Sequence, residues 1–210
     1  MTTKSYFQPE QFVEFIKSRR SIRSFQEKEV SDEQINKLLH AARWAPSNNN
    51  RQGWYYIFVR DESVKLSMAD AVKGTLEQCG QLPEVVGQKY FVEYVQNFLV
   101  FQNAPLVLVS MFSRPASISS KIIKAVDANE YASGEIFSLG MGIMNILLMA
   151  SSMGLGSCVL TGPLLAELAL KKILKVPGRY NLGPLVALGW PAEAPKPPRR
   201  KDLNLIHRVL

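Results

Sequence analysis

The sequence predicts a mixed α/β domain, and three observations carry that expectation: amphipathic helical stretches near the start, short aromatic or β-branched runs lying between helices, and a long uncharged segment past the middle. The chain has 210 residues, 47% hydrophobic and 20% charged, which is enough to bury one sizeable core. With no internal repeat and no linker to divide it, residues 1–210 are expected to form a single domain.

The elements follow in order. In PEQFVEFIKSRR, Phe12, Phe15, Ile16 and Arg19 recur at helical spacing, and Pro9 suits a first turn. SDEQINKLLHAARWA opens with Ser31 and Gln34 as a capping box and sets Ile35, Leu38, Leu39 and Ala42 on one face. Trp54 to Val59 reads as a strand, and so does PLVLVS, whose run from Leu106 to Val109 is apolar on both faces and belongs mid-sheet. A helical segment is expected on each side of residues 79–88. Between Glu135 and Glu167 lie 31 residues without a charge. That length would allow a membrane span. Its glycines, Asn145 and Pro163, and the lack of a basic cluster close by, favour a helix buried in a core or an oligomer interface instead. Next come a strand GSCVL, a helix from Pro163 to about Lys175, and a last strand PLVALGW from Pro184. The tail carries Pro191, Pro195, Pro197 and Pro198, which forbid a helix and favour an extended arm.

A net charge of +7 suggests an anionic partner. The basic residues are dispersed, apart from SRRSIR near the start and KPPRRK near the end, and aromatics are not interleaved with them, so neither nucleic acid nor a membrane is expected as partner. Two short clusters fit a small anion better. Cys79, Cys158, His40 and His207 show neither disulfide-framework nor metal-ligand spacing, and the opening residues lack a secretory pattern. A reduced, cytoplasmic chain is expected. There is no GxSxG elbow, no GxGxxG directly after a strand and no Walker A loop, and the carboxylates are too scattered to assign as acid–base pairs.

What survives is a site built from side chains. If the chain turns extended after Arg20, then Arg19, Ser21 and Arg23 share a face while Arg20 points away, offering guanidinium forks and a hydroxyl to phosphate oxygens. A basic helix end favoured by the macrodipole accounts equally well for Arg19 and Arg20, and the two readings stand about level on chemistry alone. APSNNNRQGW, residues 45–54, is an ordinary turn composition, yet its amides also suit the edge of a heterocycle carrying both donors and acceptors.

Together, RRSIRSF, APSNNNRQGW, ASSMGLGSCVLTGP and LGWPAEAPKPPRRKDL resemble, in order and over nearly the whole chain, the FMN-dependent nitroreductase family. The resemblance implies an α+β fold with a central mixed sheet flanked by helices, and an intertwined homodimer with an extended C-terminal arm. FMN would lie at the subunit interface. It implies Arg19, Arg20 and Ser21 toward the phosphate and ribityl chain, Arg23 tuning the reduced flavin, Ser47 and Asn48 reaching the flavin of the other subunit, and Asn50 and Gln52 at the ring edge. Thr161 and Gly162 would offer backbone contacts over the ring, with Arg199 and Arg200 closing on the phosphate. The activity implied is ping-pong hydride transfer from NADH or NADPH through flavin N5 to a small acceptor such as a nitroaromatic or quinone, with no catalytic residue beyond the cofactor. A same-fold enone reductase, dehalogenase-like enzyme or dehydrogenase, or a non-catalytic flavin-binding module, are the alternatives. Segments 76–94 and 111–131 are expected to shape the pocket. The chain departs from the family pattern at Asn48 (commonly Ser), Gly53 (Pro), Ser138 (Asp) and Met144 (Gln).

Overall fold

The computed structural model describes residues 8–81, 95–113 and 134–209. Helix α1 (Pro9–Ser18) begins at the expected proline, and α2 (Asp32–Arg43) at the expected cap. Ser31 Oγ accepts the Gln34 N–H at 3.3 Å, and the Gln34 side chain accepts the Ser31 N–H at 2.9 Å. Ser31→Ala is expected to cost about 1 kcal/mol, a fall in Tm of roughly 2–4 °C, readable by thermal unfolding.

Strands β1 (Trp54–Val59), β2 (Leu106–Ser113), β3 (Gly156–Leu160) and β4 (Tyr180–Gly189) form one sheet in the order β1-β2-β4-β3. All three strand pairs are antiparallel. Beside the four strands, a single isolated bridge joins Ser21 to Ser157 in parallel, and the Ile22 N–H donates to the Ser157 carbonyl at 3.0 Å. As the apolar run predicted, β2 is central. On one face Leu108, Phe112 and Val186 pack with Leu38 of α2 and Ile143 and Ile146 of α4 (Gly134–Ser152). On the other, Val109, Leu185 and Ala187 pack with Met68 and Val72 of α3 (Glu62–Gly80) and Leu170 of α5 (Glu167–Ile173).

Two boundaries differ from expectation. β4 starts four residues before Pro184, because Gly183 and Pro184 together face Ser110 alone in a bulge, the place where a strand tolerates proline. Ser110 Oγ ties the bulge by donating to the Pro184 carbonyl at 2.6 Å. The helix expected from Pro163 divides into a 3₁₀ turn, Gly162–Ala166, and then α5. Of the helices expected around residues 79–88, α3 is the first; most of the second, and residues 114–131 of the expected pocket segment, lie outside the described residues.

Helix α4 is long and apolar enough to cross a membrane by length and composition alone. Here it lies against the sheet with Leu139, Ile143 and Ile146 buried, while Phe137, Met141 and Met144 stay exposed. The amphipathic face expected of α1 buries no residue in its own chain. Both helices thus keep apolar surface uncovered.

Candidate functional site

The RRSIR stretch adopts the extended form on which the anion reading depended. Arg19 ends α1 with φ −62° and ψ 133°, and beyond it Ile22 turns inward, 6% exposed. Arg20 is partly committed to its own helix end: its Nη1 donates to the carbonyls of Lys17 and, at 2.8 Å, Arg19. It therefore acts partly as a helix C-cap. Period-two geometry would set it away from Arg19, yet both line one pocket, while Ser21 and Arg23 do not. The Arg19 guanidinium meets no acceptor among the described residues. Arg19 and Arg20 line a pocket of about 380 Å³ together with Ser151, Gly156, Ser157 and the start of the tail, Pro191 to Pro195.

Strand β3 leads from this pocket to Thr161 and Gly162. From Gly156 to Leu160 it spans about 14 Å at roughly 3.4 Å per residue, so an extended ligand with its anion at Arg19 would have its other end near Gly162. A Cβ at Gly162 would fall 2.2 Å from ring atoms of Phe98, so only glycine lets the backbone pass there without moving that ring.

Two sequence segments are stapled side by side below the pocket. The Ala192 N–H donates to the Ser24 carbonyl and the Gln26 N–H to the Trp190 carbonyl, each at 2.9 Å. Glu193 Oε1 accepts the backbone N–H groups of Arg23 and, at 3.1 Å, Ser24. The arm therefore starts locked to the arginine stretch. Arg23 itself is exposed, with Nη1 3.5 Å from the Ser21 carbonyl. Arg199 and Arg200 are exposed and lie beyond the pocket wall, four and five residues after Pro195. Sequence reasoning missed Glu193, because a carboxylate beside an anion pocket looks wrong until its backbone donors are seen.

The amide-rich loop lies elsewhere. Ser47 Oγ accepts the Gln52 N–H at 3.0 Å, and Gln52 Nε2 donates to Asn50 Oδ1 at 3.3 Å. Asn48 faces α4, its N–H on Ser138 Oγ at 3.0 Å. The loop thus sits at the start of α4, whereas Arg19 and Arg20 share their pocket with Ser151 near its end. Sixteen residues of helix separate Glu135 from Ser151, about 24 Å at roughly 1.5 Å each. The sheet gives a similar measure: β1 and β3 are three strand steps apart, and Trp54 and Ser157 lie level with opposite ends of β4. One chain therefore places Ser47, Asn48, Asn50 and Gln52 at the corner diagonal to its arginines.

Cys158, 3% exposed, lies on β3. Burial pushes its thiol up, Arg23 pulls it down, Glu193 pushes with burial, and Arg19 pulls weakly against it. A higher pKa means less thiolate. A thiol reagent at pH 8 is expected to modify Cys79, which is half-buried, promptly, and Cys158 only after denaturation; two fast thiols per chain would contradict this.

Residues 16–190 match the model of the Nitroreductase family. The NADH dehydrogenase of Thermus thermophilus is 27% identical over 90% of this chain and 90% of its own length. A BluB-like flavoprotein from Clostridium difficile superposes with a TM-score of 0.83 at 26% identity, over 95% of this chain and 98% of that one. A nitroreductase with bound FMN from Desulfitobacterium hafniense shares the fold at a TM-score of 0.72 and 23% identity, covering 94% and 97%.

Proposed function

Because the chain belongs to the Nitroreductase family, we propose that it is a cytoplasmic FMN-dependent NAD(P)H oxidoreductase that passes electrons to a small acceptor such as a nitroaromatic or quinone. The observation that carries this reading is the pocket at the start of β3, lined by Arg19 and Arg20. FMN has the matching form, a phosphate joined through a ribityl chain to a flat heterocycle, and the donor set fits it. Arg19 lines the pocket with its guanidinium without an acceptor among the described residues, and the arm that carries Arg199 and Arg200 starts at the pocket wall; Ser21, Arg199 and Arg200 are not themselves among the lining residues. Thr161 and Gly162 offer backbone groups at the ring end.

FMN bound here would supply the two-electron chemistry that takes hydride from a nicotinamide and passes it to the acceptor. The chain's own work is to bind and orient. The resemblance would have Arg23 bring a positive charge to the ring, where preorganised charge favours the electron-rich form; within one chain Arg23 stands exposed beside the arm, its N–H on Glu193 Oε1. Ser47, Asn48, Asn50 and Gln52 serve the flavin of a second copy, since about 24 Å separates them from their own arginines. The same homodimer would cover the apolar groove lined by Phe12, Phe15, Trp44, Leu148 and Met149.

The test is the visible spectrum of the purified chain. Flavin absorbance, release of FMN on denaturation and acceptor-dependent oxidation of NADH or NADPH are expected. A chain that fails to bind added FMN would sink the reading.

A further inference from the structure

We propose that Glu135 is a positioning residue for the flavin ring: through Arg51 and Asn48 it holds the 47–52 loop in the shape that presents its amides. This rests on the flavin reading above and goes past it, since Glu135 belongs to none of the sequence blocks that pointed to the cofactor.

Glu135 stands in the first turn of α4, and its side chain is 10% exposed. Its Oε1 accepts from Arg51 Nη1 at 3.1 Å and lies 3.5 Å from Asn48 Nδ2. A first-turn glutamate favours a helix start wherever it points; burial against an arginine of another segment is more than that role needs. The neighbouring contacts pull the loop the same way. The Asn48 N–H donates to Ser138 Oγ, and the Ser138 hydroxyl donates onward to the Gly134 carbonyl. A Cβ at Gly134 would lie 2.8 Å from the Asn48 side chain, so the loop rests directly on the helix start.

The loop needs such an anchor. Asn49, Asn50 and Gln52 all have φ of 51–52°, the left-handed region that side chains other than glycine adopt at a cost. Conformations of that kind persist where the surroundings over-determine them. Internal bonds from Ser47 to Gln52 and from Gln52 to Asn50 set the loop's shape, while Glu135 fixes its placement on the body.

The test titrates the full chain with FMN by fluorescence, then records the spectrum of the bound flavin, the Tm and competition by inorganic phosphate. For Glu135→Ala the Kd for FMN is expected to rise about tenfold, the loss of one charge-assisted anchor. The bound-flavin bands should shift, with Tm still a single transition and the phosphate inhibition constant unchanged. Glu135→Gln keeps an acceptor for Arg51 and should fall between. If both variants hold FMN with unaltered Kd and bands, or if phosphate binding weakens as much as FMN binding, the positioning role is wrong. Should Glu135→Ala not fold, Glu135→Gln decides by the same readouts. An unaltered chain that binds no FMN overturns the flavin reading, and this role with it.

Discussion

Arg19→Ala is expected to raise the Kd for FMN by about 10- to 100-fold, since a charge-assisted hydrogen bond contributes about 1.5–3 kcal/mol and about 1.4 kcal/mol is a factor of ten. Arg19 is half-buried beside the pocket and has no acceptor among the described residues, so its charge is available to a phosphate. Arg20 has already committed Nη1 to two carbonyls, and Arg20→Ala should cost less in binding and more in the stability of the end of α1. Fluorescence titration at two salt concentrations separates charge from shape: the Arg19→Ala penalty should shrink as salt screens the partly exposed site. Arg19→Lys should recover part of it, because an ammonium keeps the charge but loses the fork. A change below threefold at low salt would remove Arg19 from the site.

Leu185→Ala should be the most damaging single truncation near the site, costing about 2–5 kcal/mol. Leu185 is fully buried in β4, paired with Val109 of β2 on one side and Leu160 of β3 on the other. Against a typical total of about 5–15 kcal/mol, that loss lowers the urea midpoint sharply with little change in m. Leu160 is next to Thr161, so the cavity also loosens the strand end that leads to the ring. FMN at about 100 times its Kd should return about 2.7 kcal/mol by mass action. Unfolding curves with and without FMN read both effects, and a variant that FMN does not protect would contradict a site on β3.

Much of this was legible in the sequence where local rules act alone. The Ser31 and Gln34 box, the two-faced apolar run of β2 and the proline-rich arm needed no partner to be recognised, because capping, period and backbone restriction are local. The start of β4 was not legible, since a bulge depends on what Ser110 does across the sheet. Nor was Lys65, fully buried on α3 with its ammonium on the Ala104 carbonyl at 2.7 Å and on Glu62; its residue type reads as solvent-facing. In the proposed site, the arginines and amides stood out by composition. Glu193 and Glu135 did not, because what each does is set by donors 169 and 84 residues away in the chain.

In the proposed homodimer, the diagonal placement of the arginines and the 47–52 loop has a consequence for mixed populations. A dimer built from one chain damaged at Arg19 and one damaged in the 47–52 loop would carry both lesions in one site and none in the other. Two variants weakened in this way, unfolded and refolded together and assayed at limiting FMN, should therefore regain activity in their hybrids beyond what either shows alone. Complementation of this kind counts sites by geometry, and a flavin served by a single chain could not produce it.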